Sequence, residues 1–176
     1  METFVVISGC SGGGKSTLLA ELARRGHAVV EEPGRRVVQA ELARGGSALP
    51  WQDPEGFARC ALELARADHE AAPRGEGWVF FDRGIVDAAA ALAAATGRQG
   101  AEPAVQSHRY HRRIFLAPPW PEIFVGDAER RHGLKEAVEE YGRLHAAYPR
   151  FGYEVVLLPK SSPAERADFV FDVLAG

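Results

Sequence analysis

"FVVISGCSGGGKST", residues 4–17, decides the fold. Phe4-Val5-Val6-Ile7 is continuously apolar, as a strand buried on both faces of a parallel sheet should be. The chain then breaks into glycines, and Gly9 to Ser16 fits the P-loop pattern G-x-x-x-x-G-K-[ST]. A strand that runs through such a turn into a helix gathers successive N–H groups around an anion, with the positive helix end behind them. Glycine is required because no side chain can stand between that backbone and its ligand. Lys15 is placed to reach the β- and γ-phosphates, the Ser16 hydroxyl to ligate Mg²⁺ and Thr17 to meet the α-phosphate. Gly9, Ser11, Gly12, Gly13 and Gly14 supply the remaining cradle. The opening segment therefore points to ATP with Mg²⁺ and to a sheet of parallel strands.

Outward from that segment the chain alternates. Strands are predicted at Phe4–Ser8, Ala28–Glu32, Trp78–Asp82, Ile114–Ala117 and Glu154–Leu158. Helices are predicted at Lys15–Arg25, Arg35–Arg44, Glu55–Ala72, Val86–Thr96, Leu134–Tyr148 and Pro163–Leu174. Asp53-Pro54 supplies a cap with proline at the first helical position, and Ser162-Pro163-Ala164-Glu165 reads as a capping box. Regular strand–helix alternation implies an α/β three-layer sandwich, a mostly parallel five-stranded sheet with helices on both faces. The proline-rich stretch at 117–133 breaks the rhythm; it reads either as a lid after the fourth strand or as an ordinary surface loop.

Composition narrows the class. The 176 residues are expected to form one P-loop NTPase domain, and 46% apolar with 26% charged residues is ordinary for a globular chain. A net charge of −3 offers no basic footprint, so no nucleic-acid partner is expected. Cys10 and Cys60 alone cannot make a disulfide framework. With no signal-peptide pattern and no run of about 20 apolar residues, a cytoplasmic protein without a membrane partner is expected.

Ligands of open α/β sheets sit beyond the carboxyl ends of the strands, so the polar residues there are the candidates. "WVFFDRG" places Asp82 after an apolar run, as a metal-organising acid, with Arg83 beside it to meet phosphate or substrate. "VVEEPGRR" sends Glu31 and Glu32 out of the second strand; alternation lets only one face the cleft, with Glu32 preferred. That carboxylate could accept a hydroxyl proton, and Arg35 could clamp the acceptor. Trp51, Phe57 and Arg59 are candidate pocket walls. Arg130 and Arg131 are either lid arginines that neutralise the transferred phosphate or a solvated pair. Cys10 lies inside the phosphate loop, where its modification would block nucleotide.

The order GxxxxGKST, "EEPGR", "FFDRG", "DAERR" and "LLPKSSPAERADFV" resembles the small AAA-type predicted ATPases with a kinase-like P-loop fold. These are similar to nicotinamide riboside kinase and, more distantly, to deoxynucleoside kinases. The resemblance runs over essentially the whole chain. It implies Glu32 as base or acceptor contact, Asp82 and Arg83 as the strand-end pair, and Arg130 or Arg131 as a lid arginine. It also implies that the loop Pro159, Lys160, Ser161 and Ser162 covers the adenine.

Three functions compete. The first is an ATP-dependent kinase that phosphorylates a small, hydroxylated, nucleoside-like acceptor, as a monomer or homodimer. The second is a partner-regulated ATPase switch with water as acceptor. The third is a nucleotide-binding scaffold.

Overall fold

The computed structural model describes residues 3–98, 100–124 and 133–176. Five strands form one sheet: β1 (Phe4–Gly9), β2 (Ala28–Val30), β3 (Val79–Asp82), β4 (Arg113–Ala117) and β5 (Glu154–Leu157). Their order is β2-β3-β1-β4-β5, and every neighbouring pair is parallel. The helices are α1 (Lys15–Arg24), α2 (Pro33–Arg44), α3 (Pro54–Ala71), α4 (Ile85–Thr96), α5 (Glu102–Ser107), α6 (Leu134–Arg150) and α7 (Pro163–Ala175).

Alternation along β1 builds two cores at once. Phe4 and Val6 pack on one face with Phe81, Ile85, Tyr110, Leu144 and Tyr148. Val5 and Ile7 pack on the other with Leu18, Leu22, Phe80, Val170 and Leu174. Both faces of the central strand are thus covered, which is why its sequence is apolar throughout. Both expected helix starts are present: Asp53 caps α3 by accepting from the Gly56 N–H, and Ser162 with Glu165 forms the capping box of α7.

Two elements depart from expectation. β2 stops at Val30 rather than at Glu32, because Pro33 already lies in the first turn of α2 and Glu32 is its N-cap residue. Strand alternation therefore does not govern Glu31 and Glu32. The sequence reading also missed α5, which is only 6 residues long and carries no readable period. Within the expected lid, Pro121–Ile123 form a single 3₁₀ turn. Among the described residues no helix is long and apolar enough to cross a membrane.

Candidate functional site

The phosphate loop leaves β1 at the centre of the sheet and enters α1, so its position is set by the most buried strand in the molecule. Gly9 turns with φ +111, and Cys10 N–H donates to the Ala117 carbonyl at 2.8 Å, tying the loop to the end of β4. Gly14 turns with φ +77. A Cβ there would stand 2.6 Å from the Arg166 guanidinium, and one on Gly9 would overlap the Ala117 backbone. The glycines thus answer to close approach within the protein as well as to ligand access. Lys15 Nζ donates to the Cys10 carbonyl at 3.1 Å and Thr17 Oγ1 to the Gly14 carbonyl at 2.9 Å. Ser16 is exposed at the helix start.

Two cavities meet at this loop. The larger, about 700 Å³, is lined by Gly12, Gly14, Lys15, Ser16 and Thr17. Trp120, Ile123, Ser161, Ser162, Pro163 and Arg166 complete its lining. The smaller, about 260 Å³, begins at Ser11 and is walled by Glu32, Arg35, Phe57, Arg83, Glu136, Glu140 and Arg143. Neighbouring loop residues, Ser11 and Gly12, therefore face different cavities.

Between β3 and α4 lies a charged hub. Arg83 is buried, and it alone among the described non-glycine residues has a positive φ, +66. Its guanidinium donates to Glu32 Oε1 at 3.0 Å, Glu140 Oε2 at 3.1 Å and Asp87 Oδ1 at 3.3 Å. Burial alone would lower its pKa, but Glu140, Glu32, Asp87 and Asp82 outweigh burial and hold it well above the ordinary value. Asp87 in turn accepts from the Ser8 hydroxyl, from Tyr148 Oη at 2.5 Å and from the Gly84 N–H at 2.8 Å. Burial, and then the Asp87 charge, pushes the Tyr148 phenol well above its usual value, so it stays a donor. This chain of bonds joins β1, α2, α4 and α6 beneath the smaller cavity.

The other expected residues fall as follows. Glu32 lines the smaller cavity, whereas Glu31 is exposed and does not. Asp82 is buried at the end of β3, in register with Ile7 of β1. Arg35 and Phe57 line the smaller cavity, but Trp51 is exposed outside that lining and Arg59 pairs with Glu55 on the surface at 2.6 Å. Ser161 lines the larger cavity, while Pro159 and Lys160 are outside its lining. Cys10 is fully buried and its thiol faces the Ala137 carbonyl at 3.5 Å. Burial keeps that thiol above its ordinary pKa, only partly offset by Lys15. Arg130 and Arg131 lie outside the described residues.

Sequence reasoning missed Asp87, Tyr148, Glu136, Glu140, Arg143, Trp120 and Arg166. Two of them left a signal. Asp87 is the sole charge in the apolar run Ile85–Thr96, and Arg166 shares the i, i+4, i+8 face of α7 with Val170 and Leu174. A charge at a core position of a helix needs a partner, and that is where to look.

The donor set also suits Mg²⁺. No group of three or more His, Cys, Asp or Glu side chains is clustered for a metal among the described residues. A cage of that kind is not needed: Mg²⁺ in nucleotide sites takes one or two protein oxygens and completes its shell with phosphates and water. Ser16 at the helix start and Asp82 at the strand end are oxygen donors of that type.

A family model described as an AAA domain matches residues 4–166, and the chain belongs to that family. Solved structures share the fold. Shikimate kinase from Acinetobacter baumannii in complex with shikimate is 13% identical, with 99% of this chain and 94% of that chain covered at a TM-score of 0.59. Deoxyadenosine kinase from M. mycoides with bound dATP is 12% identical, covering 99% and 100% with the same score, 0.59. The NadR protein in complex with NR is 18% identical at a TM-score of 0.72; 98% of this chain matches 50% of that one. The fold is that of the P-loop kinases.

Proposed function

From membership of this family, and from the two cavities that meet at its phosphate loop, we propose an ATP- and Mg²⁺-dependent kinase acting on a small hydroxylated acceptor. One observation carries the reading: a second, side-chain-lined cavity of about 260 Å³ opens on the Ser11 side of the loop. Hydrolysis needs no such space, because water is its acceptor. A kinase must hold a second organic molecule in line with the γ-phosphate.

The roles follow from placement. ATP occupies the larger cavity, its phosphates against the N–H groups of Gly12 to Thr17, its base toward Trp120 and Ser161. Lys15 exchanges the Cys10 carbonyl for phosphate oxygens and neutralises charge as transfer proceeds. Ser16 and Asp82 would hold Mg²⁺, which would supply further charge neutralisation. Glu32 accepts the acceptor's hydroxyl proton or orients that hydroxyl, and Arg35 contacts the rest of the molecule. Arg83 is assigned a different role from the one the sequence suggested. Its donors already meet three carboxylates, so it positions Glu32 rather than binding substrate.

The test is ADP release from Mg²⁺-ATP, alone and against nucleosides, nucleotides and hydroxylated metabolites, with Lys15→Ala as control. The expected result is a large rise with one acceptor class, abolished in Lys15→Ala. In Glu32→Gln, kcat should fall roughly 10²- to 10⁴-fold with little change in ATP affinity. A steady rate that no acceptor alters would instead identify a nucleotide-hydrolysing switch.

A further inference from the structure

The stretch SSPAER, residues 161–166, ends on an arginine that the phosphoryl-transfer scheme does not use. Arg166 lies on the first turns of α7 and is 1% exposed. Nη1 donates to the Gly14 carbonyl at 2.8 Å and Nη2 to the Gly13 carbonyl at 3.2 Å. Among the described residues no carboxylate pairs with it, and its Nε is buried without a hydrogen-bond partner. Burial accordingly lowers its pKa. The Trp120 ring centre lies 5.8 Å from Cζ, and Ser161 Oγ, also buried without a partner, faces the same cavity.

A buried guanidinium usually takes a carboxylate; this one takes two main-chain carbonyls of the phosphate loop. In a planar trans peptide the C=O and the following N–H point in opposite directions. Drawing the carbonyls of Gly13 and Gly14 toward α7 therefore turns the N–H groups of Gly14 and Lys15 away from it. The same guanidinium occupies the space a Cβ at Gly14 would need. The arginine and the glycine thus fit each other.

We propose that Arg166 is a positioning residue of the phosphate loop: it sets the two peptide planes so that their N–H groups face the anion, and it transmits loop occupancy to the Trp120 ring. The inference rests on the loop being the nucleotide site. The fork geometry matters, because a lysine's compact ammonium has no rigid planar fork to fix two peptide planes together.

Titration calorimetry with Mg²⁺ and inorganic tripolyphosphate, which has no base, tests this against ATP on the full chain. Arg166→Gln should weaken both at least tenfold, and Arg166→Lys should weaken both by less, with circular dichroism showing each variant folded. Wild-type tripolyphosphate affinity in a folded Arg166→Gln overturns the inference, as does a loss confined to ATP, which would assign the residue to the base. If wild-type protein binds neither ligand, the nucleotide reading of the loop falls first and takes the inference with it. Should Arg166→Gln fail to fold, wild-type emission assigned by Trp120→Phe decides. Saturating tripolyphosphate should shift the Trp120 signal, and no shift at saturation overturns the coupling.

Discussion

Arg83 holds a left-handed backbone, a conformation that costs a non-glycine residue roughly 1–3 kcal/mol and persists only where the surroundings enforce it. Here the enforcement is electrostatic. Glu32, Glu140 and Asp87 converge on one guanidinium, and removing it leaves three carboxylates facing one another. Arg83→Met should therefore lose about 3–5 kcal/mol in urea unfolding, the range for breaking a buried ion pair from one side. A loss below about 1 kcal/mol would show that water replaces the arginine and that the hub is not structural. Tyr148→Phe removes a single charge-assisted bond to Asp87 and should cost less, about 1.5–3 kcal/mol.

Helix α3 carries a different sensitivity. Its last turn buries His69, which bonds the Arg109 carbonyl at 2.9 Å and is ringed by Phe4, Phe81, Tyr110 and His108, with Arg74 and Glu70 nearby. Burial lowers its pKa, opposed by the Arg109 carbonyl and Glu70 and reinforced by His108 and Arg74. A histidine held neutral in the fold binds fewer protons than the unfolded chain. Its contribution is complete above the unfolded value near 6.5 and is lost as pH falls through the lower folded value. The melting temperature should accordingly drop as pH falls below about 6.5. His69→Gln should flatten that slope, and an unchanged slope would assign the acid sensitivity to another element.

At the scale of the whole molecule, strand order matters most. Placing β1 between β3 and β4 brings the phosphate loop beside Asp82 at the end of β3, and puts Ser11 on one cavity with Glu32 and the start of α6, all of which follow it by tens of residues. A ligand that binds only this assembled arrangement stabilises it by mass action. Mg²⁺-ATP at a hundredfold excess over Kd should add about 2.7 kcal/mol. That corresponds to a rise in Tm of roughly 5–10 °C in a chain of this size. Lys15→Ala should show almost none of it; an equal rise in that variant would place the nucleotide elsewhere.

What the sequence determined by itself was local. The P-loop, the apolar strands and the capped helix starts at Asp53 and Ser162 depend on neighbours a few residues away, and those neighbours can be read in order. What the tertiary structure decided were the partnerships across the chain. It was the early end of β2 that turned Glu32, not Glu31, to the cavity. The gathering of Asp87, Tyr148 and Glu140 around Arg83, and the reach of Arg166 back to Gly14 and Gly13 across 152 and 153 residues, came only with the fold. A side chain's period reveals which face it occupies, but its partner is set by which elements the sheet order brings together.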